Sequence, residues 1–160
     1  MLKPGLLSQM EFARSRTLGM LDEIAKETNA QEILGWRPGP GRAHIAWQIM
    51  HLAATDDRHL NVLIKQRKVH RPDYVERFAG GSTVDDIIPT LSEIQEYLNP
   101  GRAALLEYFR SVEDTHFPRK PHEEARWTHQ EWLQVLCWHE AHHQGQAHIT
   151  WNLFKVARES

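Results

Sequence analysis

Apolar residues recur at helical spacing in four long stretches of the chain, and polar connections containing Pro and Gly separate the stretches. Leu7, Met10, Arg14, Thr17, Leu18, Leu21, Ile24 and Ala25 form one stripe, which predicts an amphipathic helix from Gly5 to Thr28. Asn29 to Arg42 holds Trp36-Arg37-Pro38-Gly39-Pro40-Gly41, whose Pro and Gly residues stop a helix, so this segment reads as a loop. From Ala43 to Gln66 nothing interrupts. Ile45, Ile49, Leu52 and Leu63 share one stripe there, with Trp47 and Val62 on another, and the spacing predicts a largely buried second helix. Arg67 to Pro89, with Pro72 and Gly80-Gly81, is a polar crossover far longer than the usual loop of about 4–6 residues. Thr90 and Glu93 have capping-box spacing and open a third helix carrying Ile94, Leu98, Leu105, Phe109 and Val112, with a kink or break expected at Asn99-Pro100-Gly101. After Pro118 and Pro121, Thr128 and Glu131 form another capping box and start a fourth helix that runs to about Phe154. The pattern predicts an all-α fold, a four-helix bundle with a long crossover between helices 2 and 3, as a single domain over residues 1–160.

Helical projection puts polar residues where the core should be. On the fourth helix, Trp132, Val135, Leu136, His139, His143, Gln146, Thr150 and Leu153 fall in one narrow sector, with the two histidines in its middle. On the second helix His44, Trp47, Gln48, His51, Thr55, Arg58 and Val62 do the same. Buried polar groups without partners cost about 1–3 kcal/mol each, so a cluster of inward imidazoles needs waters, mutual hydrogen bonds or a cation. His139 and His143, four apart, leave one helix face and can grip one ion. His139-Glu140-Ala141-His142-His143 also spells the zinc-protease motif, but the longer form needs Gly and His where the chain has Gln146 and Ile149, and a later Glu is only Glu159. The third ligand must therefore come from upstream, with His51 and His44 as the competing residues and His142 as an alternative to one of the pair. Glu140, Arg58, Gln146 and Thr55 are the candidates for orienting substrate or moving a proton. His59, His70, His116, His122, His129 and His148 read as solvated or capping positions. Trp36 and Arg37 read as the lip of a pocket. Glu140 and His143 also have the spacing of a di-iron motif, for which Glu113 and His116 offer the second copy.

Composition narrows the partners. A net charge of −2, from 19 basic and 21 acidic residues without long single-sign runs, gives no nucleic-acid or anionic-membrane footprint. No apolar run is long enough to span a bilayer. A lone Cys137, on the helix side away from the histidines, forms no intrachain disulfide and reads as packing. Together with the absence of an apolar segment near Met1, it leads us to expect a cytoplasmic protein.

The run Trp138-His139-Glu140-Ala141-His142-His143-Gln144-Gly145-Gln146 resembles the signature of the DinB/YfiT-like superfamily of metal-dependent enzymes. Ile45 to Ala53, with its His51, and the preceding Gly35 to Gly41 loop resemble the corresponding earlier segments. The resemblance implies a four-helix bundle, a metal triad of His51, His139 and His143, and frequent homodimers. It also implies thiol-dependent chemistry of the kind seen in bacillithiol S-transferases and a mycothiol-dependent maleylpyruvate isomerase. The expected cofactor is a divalent ion, zinc or nickel first and iron or manganese after them. The expected partner is a small-molecule substrate, with a low-molecular-weight thiol as co-substrate. The alternative is a non-catalytic metal-binding or dimeric stress-related bundle protein.

Overall fold

The computed structural model describes residues 2–159. Six α-helices follow one another: α1 (Leu2–Ala25), α2 (Ala30–Gly35), α3 (Ile45–Arg58), α4 (Pro72–Phe78), α5 (Leu91–Ser111) and α6 (His129–Glu159), with a π-helical turn over His59–Ile64 continuing α3. No strand occurs among the described residues. The all-α expectation stands, and α2, α4 and the π turn are additional to the four long helices expected. Among those four, α1 packs on α6 and α5, and α3 packs on α5 and α6.

Local chemistry explains the ends. Thr90 and Glu93 form the expected capping box, and Thr128 and Glu131 bond reciprocally in the same way. His44, buried, caps α3 by accepting the Trp47 N–H at 3.0 Å through Nδ1. Gln66, at φ 52°, ends the π turn in the left-handed region that closes many helices.

Three expectations need correction. The segment after Asn29 is not all loop: Ile33 and Leu34 are buried, and α2 forms because two apolar neighbours gain a core to sit in. Gly35 ends it, where a Cβ would stand 2.8 Å from Ile88 Cγ1, so the crossover can lie directly on the backbone. The crossover itself contains α4, started by Pro72 at the first turn, where its missing N–H costs nothing. α5 runs through Pro100 unbroken. Pro100 deprives the Glu96 carbonyl of its helical donor, but Gly101 lies 3.5 Å, measured from an added Cβ, from Asp56 on α3, and Arg102 bonds both Asp56 oxygens. Tertiary contacts hold what local propensity would break. The Trp36 and Arg37 expectation also changes: Arg37 bonds the Val84 and Asp85 carbonyls and Asp86, pinning the crossover, while Trp36 packs edge-on against Phe154.

The core is divided into two apolar clusters. One gathers Leu21, Ile24, Ile49, Leu98, Trp151 and Phe154, the other Met10, Leu60, Leu105, Phe109, Trp132 and Leu136. Between them along each long helix lie polar residues: Arg14 and Thr17 of α1, Asp56 of α3, Arg102 of α5 and Glu140 of α6, all buried. Each long helix therefore gives one charge to a quartet whose two guanidiniums and two carboxylates sum to zero. Arg14 Nε meets Glu140 Oε1 at 2.7 Å and its Nη2 meets Asp56 Oδ2 at 3.1 Å, while Arg102 Nη2 meets Glu140 Oε2 at 2.5 Å. The Thr17 hydroxyl donates to Glu140 at 2.8 Å, and Arg14 Nη1 donates to the Leu98 carbonyl.

Candidate metal centre

One turn from the quartet, α3 and α6 bring three imidazoles together. His51, His139 and His143 each offer a ring nitrogen, and the three nitrogens lie within 4.8 Å of one another. His51 Nε2 and His139 Nε2 are 3.1 Å apart. Two ligands of a tetrahedral ion with bonds of 2.0–2.1 Å stand about 3.3 Å apart, so the gap is of the size a shared ion requires.

The outer nitrogens set the tautomers. His51 Nδ1 sits 2.7 Å from the Phe78 carbonyl oxygen, and a carbonyl only accepts, so Nδ1 carries the proton and Nε2 presents a lone pair inward. His143 Nδ1 donates to Gln48 Oε1 at 2.5 Å, with the same result. Ligand imidazoles are ordinarily oriented in this way by a second partner. The Trp47 ring stacks on His51 at 4.9 Å and 6° and restricts its rotation.

Electrostatics keep the donors neutral. Burial, then repulsion from His143 and His51, pushes the His139 pKa down to about 3. Burial, then His51 and His142, pushes His143 down to about 4. Burial also lowers His51, against the opposing pull of the Phe78 carbonyl. All three are lone-pair donors at neutral pH, which fits a divalent ion such as zinc or nickel.

The competing ligands are engaged elsewhere. His44 spends Nδ1 on its cap and places Nε2 3.2 Å from the Asp85 carbonyl. His142 is exposed, stacked on Trp138 and bonded to Gln146 Nε2. Gln146 bonds His142 but also reaches His143, where its side chain opposes the fall of that pKa, and its backbone carbonyl accepts from Thr150. Glu140, a candidate base, is fully buried, and Arg14, Arg102 and Thr17 occupy both its oxygens, so it faces the quartet and not the cleft and is carried no further as a proton acceptor. Thr55 is buried and lines the cleft beside His51 and His139, and Arg58 is exposed at its edge. Glu113 and His116 are exposed in the loop after α5, which leaves no second acidic motif facing the triad for a di-iron site.

Other histidines depart from their expected solvated roles. His129 is buried, with Nδ1 2.8 Å from the Arg119 carbonyl and Nε2 2.8 Å from the Tyr108 hydroxyl. His59 packs against Trp132, and burial pushes its pKa down to about 4. Cys137 is buried with its thiol pushed up to about 11 by burial, as packing requires. The quartet and the Gln48 contact went unread in the sequence, although Arg14 and Thr17 interrupt an apolar stripe and Gln48 shares the His51 sector.

The family model of the DinB superfamily matches residues 9–147. A crystal structure described as a conserved protein of locus from Enterococcus faecalis has the same fold, with a TM-score of 0.71, 16% sequence identity and 96% of each chain covered. No curated protein matches the chain.

Proposed function

The chain belongs to the DinB superfamily, and from that premise and the geometry of the triad we propose that it is a metal-dependent enzyme with thiol-dependent S-transferase or isomerase chemistry. The observation that carries this reading is the convergence of inward ring nitrogens from His51, His139 and His143, two of them held by partners on the opposite nitrogen. The four long helices read as a four-helix bundle whose α3 and α6 supply the ligands. When bound there, a divalent ion with an open position supplies Lewis acidity and lowers the pKa of a coordinated thiol or water.

The chain's own residues do the rest. His51, His139 and His143 would hold the ion as neutral donors, and the Phe78 carbonyl and Gln48 fix the directions of His51 and His143. The cleft against the triad, ≈ 480 Å³, has no carboxylate in its lining, so nothing there repels an anionic sulfur. In S-transfer the thiol loses its proton to solvent, sulfur forms a bond to an electrophilic carbon, and the leaving group departs with the electron pair of the bond that breaks.

The test is elemental analysis of protein purified without an affinity tag, with cobalt substitution to follow thiol binding by absorption. About one ion per chain, lost in His139→Ala, and a spectrum altered by thiols support the reading. No bound ion in the wild type sinks it, and a bound ion blind to thiols favours the non-catalytic scaffold.

We also propose a homodimer. Trp138 and Ile149 are 62% and 61% exposed on α6, eleven residues apart and hence on one outward line, with Gly145 between them leaving room for a second helix. Sedimentation should give a dimer for the wild type and a monomer for Trp138→Glu; a wild-type monomer at micromolar concentration removes the proposal.

A further inference from the structure

Two chambers meet at one wall of α3. The inner one is the cleft at the triad; the outer one, ≈ 420 Å³, reaches Leu63, His122, Trp127 and Trp132, and Arg58 and His59 line both. Arg58 is exposed and has no hydrogen-bond, ion-pair or ring partner among the described residues. A guanidinium with no protein partner, placed where two cavities join, is free to take a ligand's anion. Arg126, on the outer wall, lies over the Trp127 ring at 4.6 Å and pairs with no carboxylate among the described residues. The outer chamber's carboxylate, Glu124, accepts from Gln66 Nε2 at 2.8 Å, and against its single charge the two guanidiniums leave one positive charge in excess.

Spacing gives the ligand a length. Arg58 follows His51 by seven residues, two helical turns, so at 1.5 Å per residue its backbone stands about 10 Å along the helix from the triad. We propose, on the thiol reading above, that the two chambers form one substrate cleft and that Arg58, assisted by Arg126, binds a carboxylate carried by the thiol several bonds from its sulfur. The substrate class is then an extended, peptide-like thiol acid whose carboxylate end lies towards the outer chamber of Trp127 and Arg126, and not a short neutral thiol. Arg suits the task because its planar fork matches a carboxylate with two parallel hydrogen bonds.

The experiment uses cobalt-loaded protein titrated with 2-mercaptoethanol, which reads the metal alone, and with glutathione, a thiol carrying distant carboxylates. Charge-transfer absorption from sulfur to cobalt reports binding. Glutathione is expected to bind about tenfold or more tighter than 2-mercaptoethanol, the scale of one charge-assisted hydrogen bond. Arg58→Ala should cancel that advantage and leave 2-mercaptoethanol unchanged, and circular dichroism checks that the exposed substitution leaves the helices intact. Equal affinities for the two thiols, or a glutathione affinity indifferent to Arg58→Ala, overturns the proposal.

A second arm stands apart from the metal. S-methylglutathione, titrated calorimetrically into His139→Ala, should bind about tenfold more weakly once Arg58→Ala is added. Silence of both thiols in the cobalt spectrum would refute the thiol reading and leave this arm to decide the anion site, where heats equal with and without Arg58 overturn it.

Discussion

Replacing Glu140 with Gln should destabilise the protein severely while leaving the triad's chemistry in place. Glu140 accepts from Arg14 Nε at 2.7 Å, Arg14 Nη2 at 3.0 Å, Arg102 Nη2 at 2.5 Å and the Thr17 hydroxyl at 2.8 Å. Gln keeps the shape but removes the charge, so two buried guanidiniums face Asp56 alone. Its amide NH₂ must also point a donor at a donor. Breaking one member of a buried ion pair costs about 3–5 kcal/mol, because the partner charge stays buried and uncompensated. Against a typical domain stability of about 5–15 kcal/mol this is a large fraction, and at this chain length it lowers the melting temperature by on the order of 10 °C.

The assay is urea unfolding of metal-free wild type and Glu140→Gln, followed by circular dichroism, with metal content measured separately on folded protein at low temperature. The expected result is a large drop in the urea midpoint with stoichiometric metal retained. A loss below about 1 kcal/mol, the range of an exposed pair, would refute the claim that the quartet is a buried, mutually dependent unit. Stability unchanged but thiol chemistry abolished would restore Glu140 as a proton acceptor.

Gln48→Ala should weaken zinc binding by about 10–100-fold, since it removes the acceptor that orients His143; competition against a chromophoric chelator measures this, and unchanged affinity contradicts the orienting role. Acid should destabilise the metal-free protein. The folded pKa values of His139 and His143, about 3 and about 4, lie below the unfolded value near 6.5, so the unfolded state binds protons first as pH falls. Stability is therefore fully present above about pH 6.5 and falls towards pH 4, by up to about 1.4 kcal/mol per pH unit for each histidine. Urea midpoints at pH 7.5 and pH 5 test this, and a His139→Leu variant should flatten the slope.

The triad was legible because helical periodicity is a strong signal: His139 and His143 are four apart, and His51 shares a sector with Trp47 and Gln48. Periodicity gives faces, not partners. It put His44 and His51 on the same sector without telling which one ends the helix, and the answer lies in φ/ψ at the α3 start, where His44 becomes the cap. The quartet was harder to see because Arg14, Asp56, Arg102 and Glu140 come from four different helices, and no spacing within one helix encodes a meeting of four. The break that Pro100 could have made in α5 is absent for a related reason: the contacts of Gly101 and Arg102 with Asp56 that hold the helix together are tertiary.

The quartet also bears on what the triad can do. Had Glu140 faced the triad as an unpaired carboxylate, its charge would have offset part of a bound dication and favoured a closed, structural sphere. Arg14 and Arg102 neutralise it, His51, His139 and His143 are held uncharged by burial, and no carboxylate lines the adjoining cleft. On the proposed metal-dependent reading, an ion held there would have its charge met by whatever enters an open position. A thiolate or carboxylate meets it and a neutral alcohol does not, so the affinity of anions for the loaded site should fall steeply when a carboxylate is introduced at Thr55, beside His51, whereas a scaffold site with no ligand to admit would be indifferent or tightened by the same change.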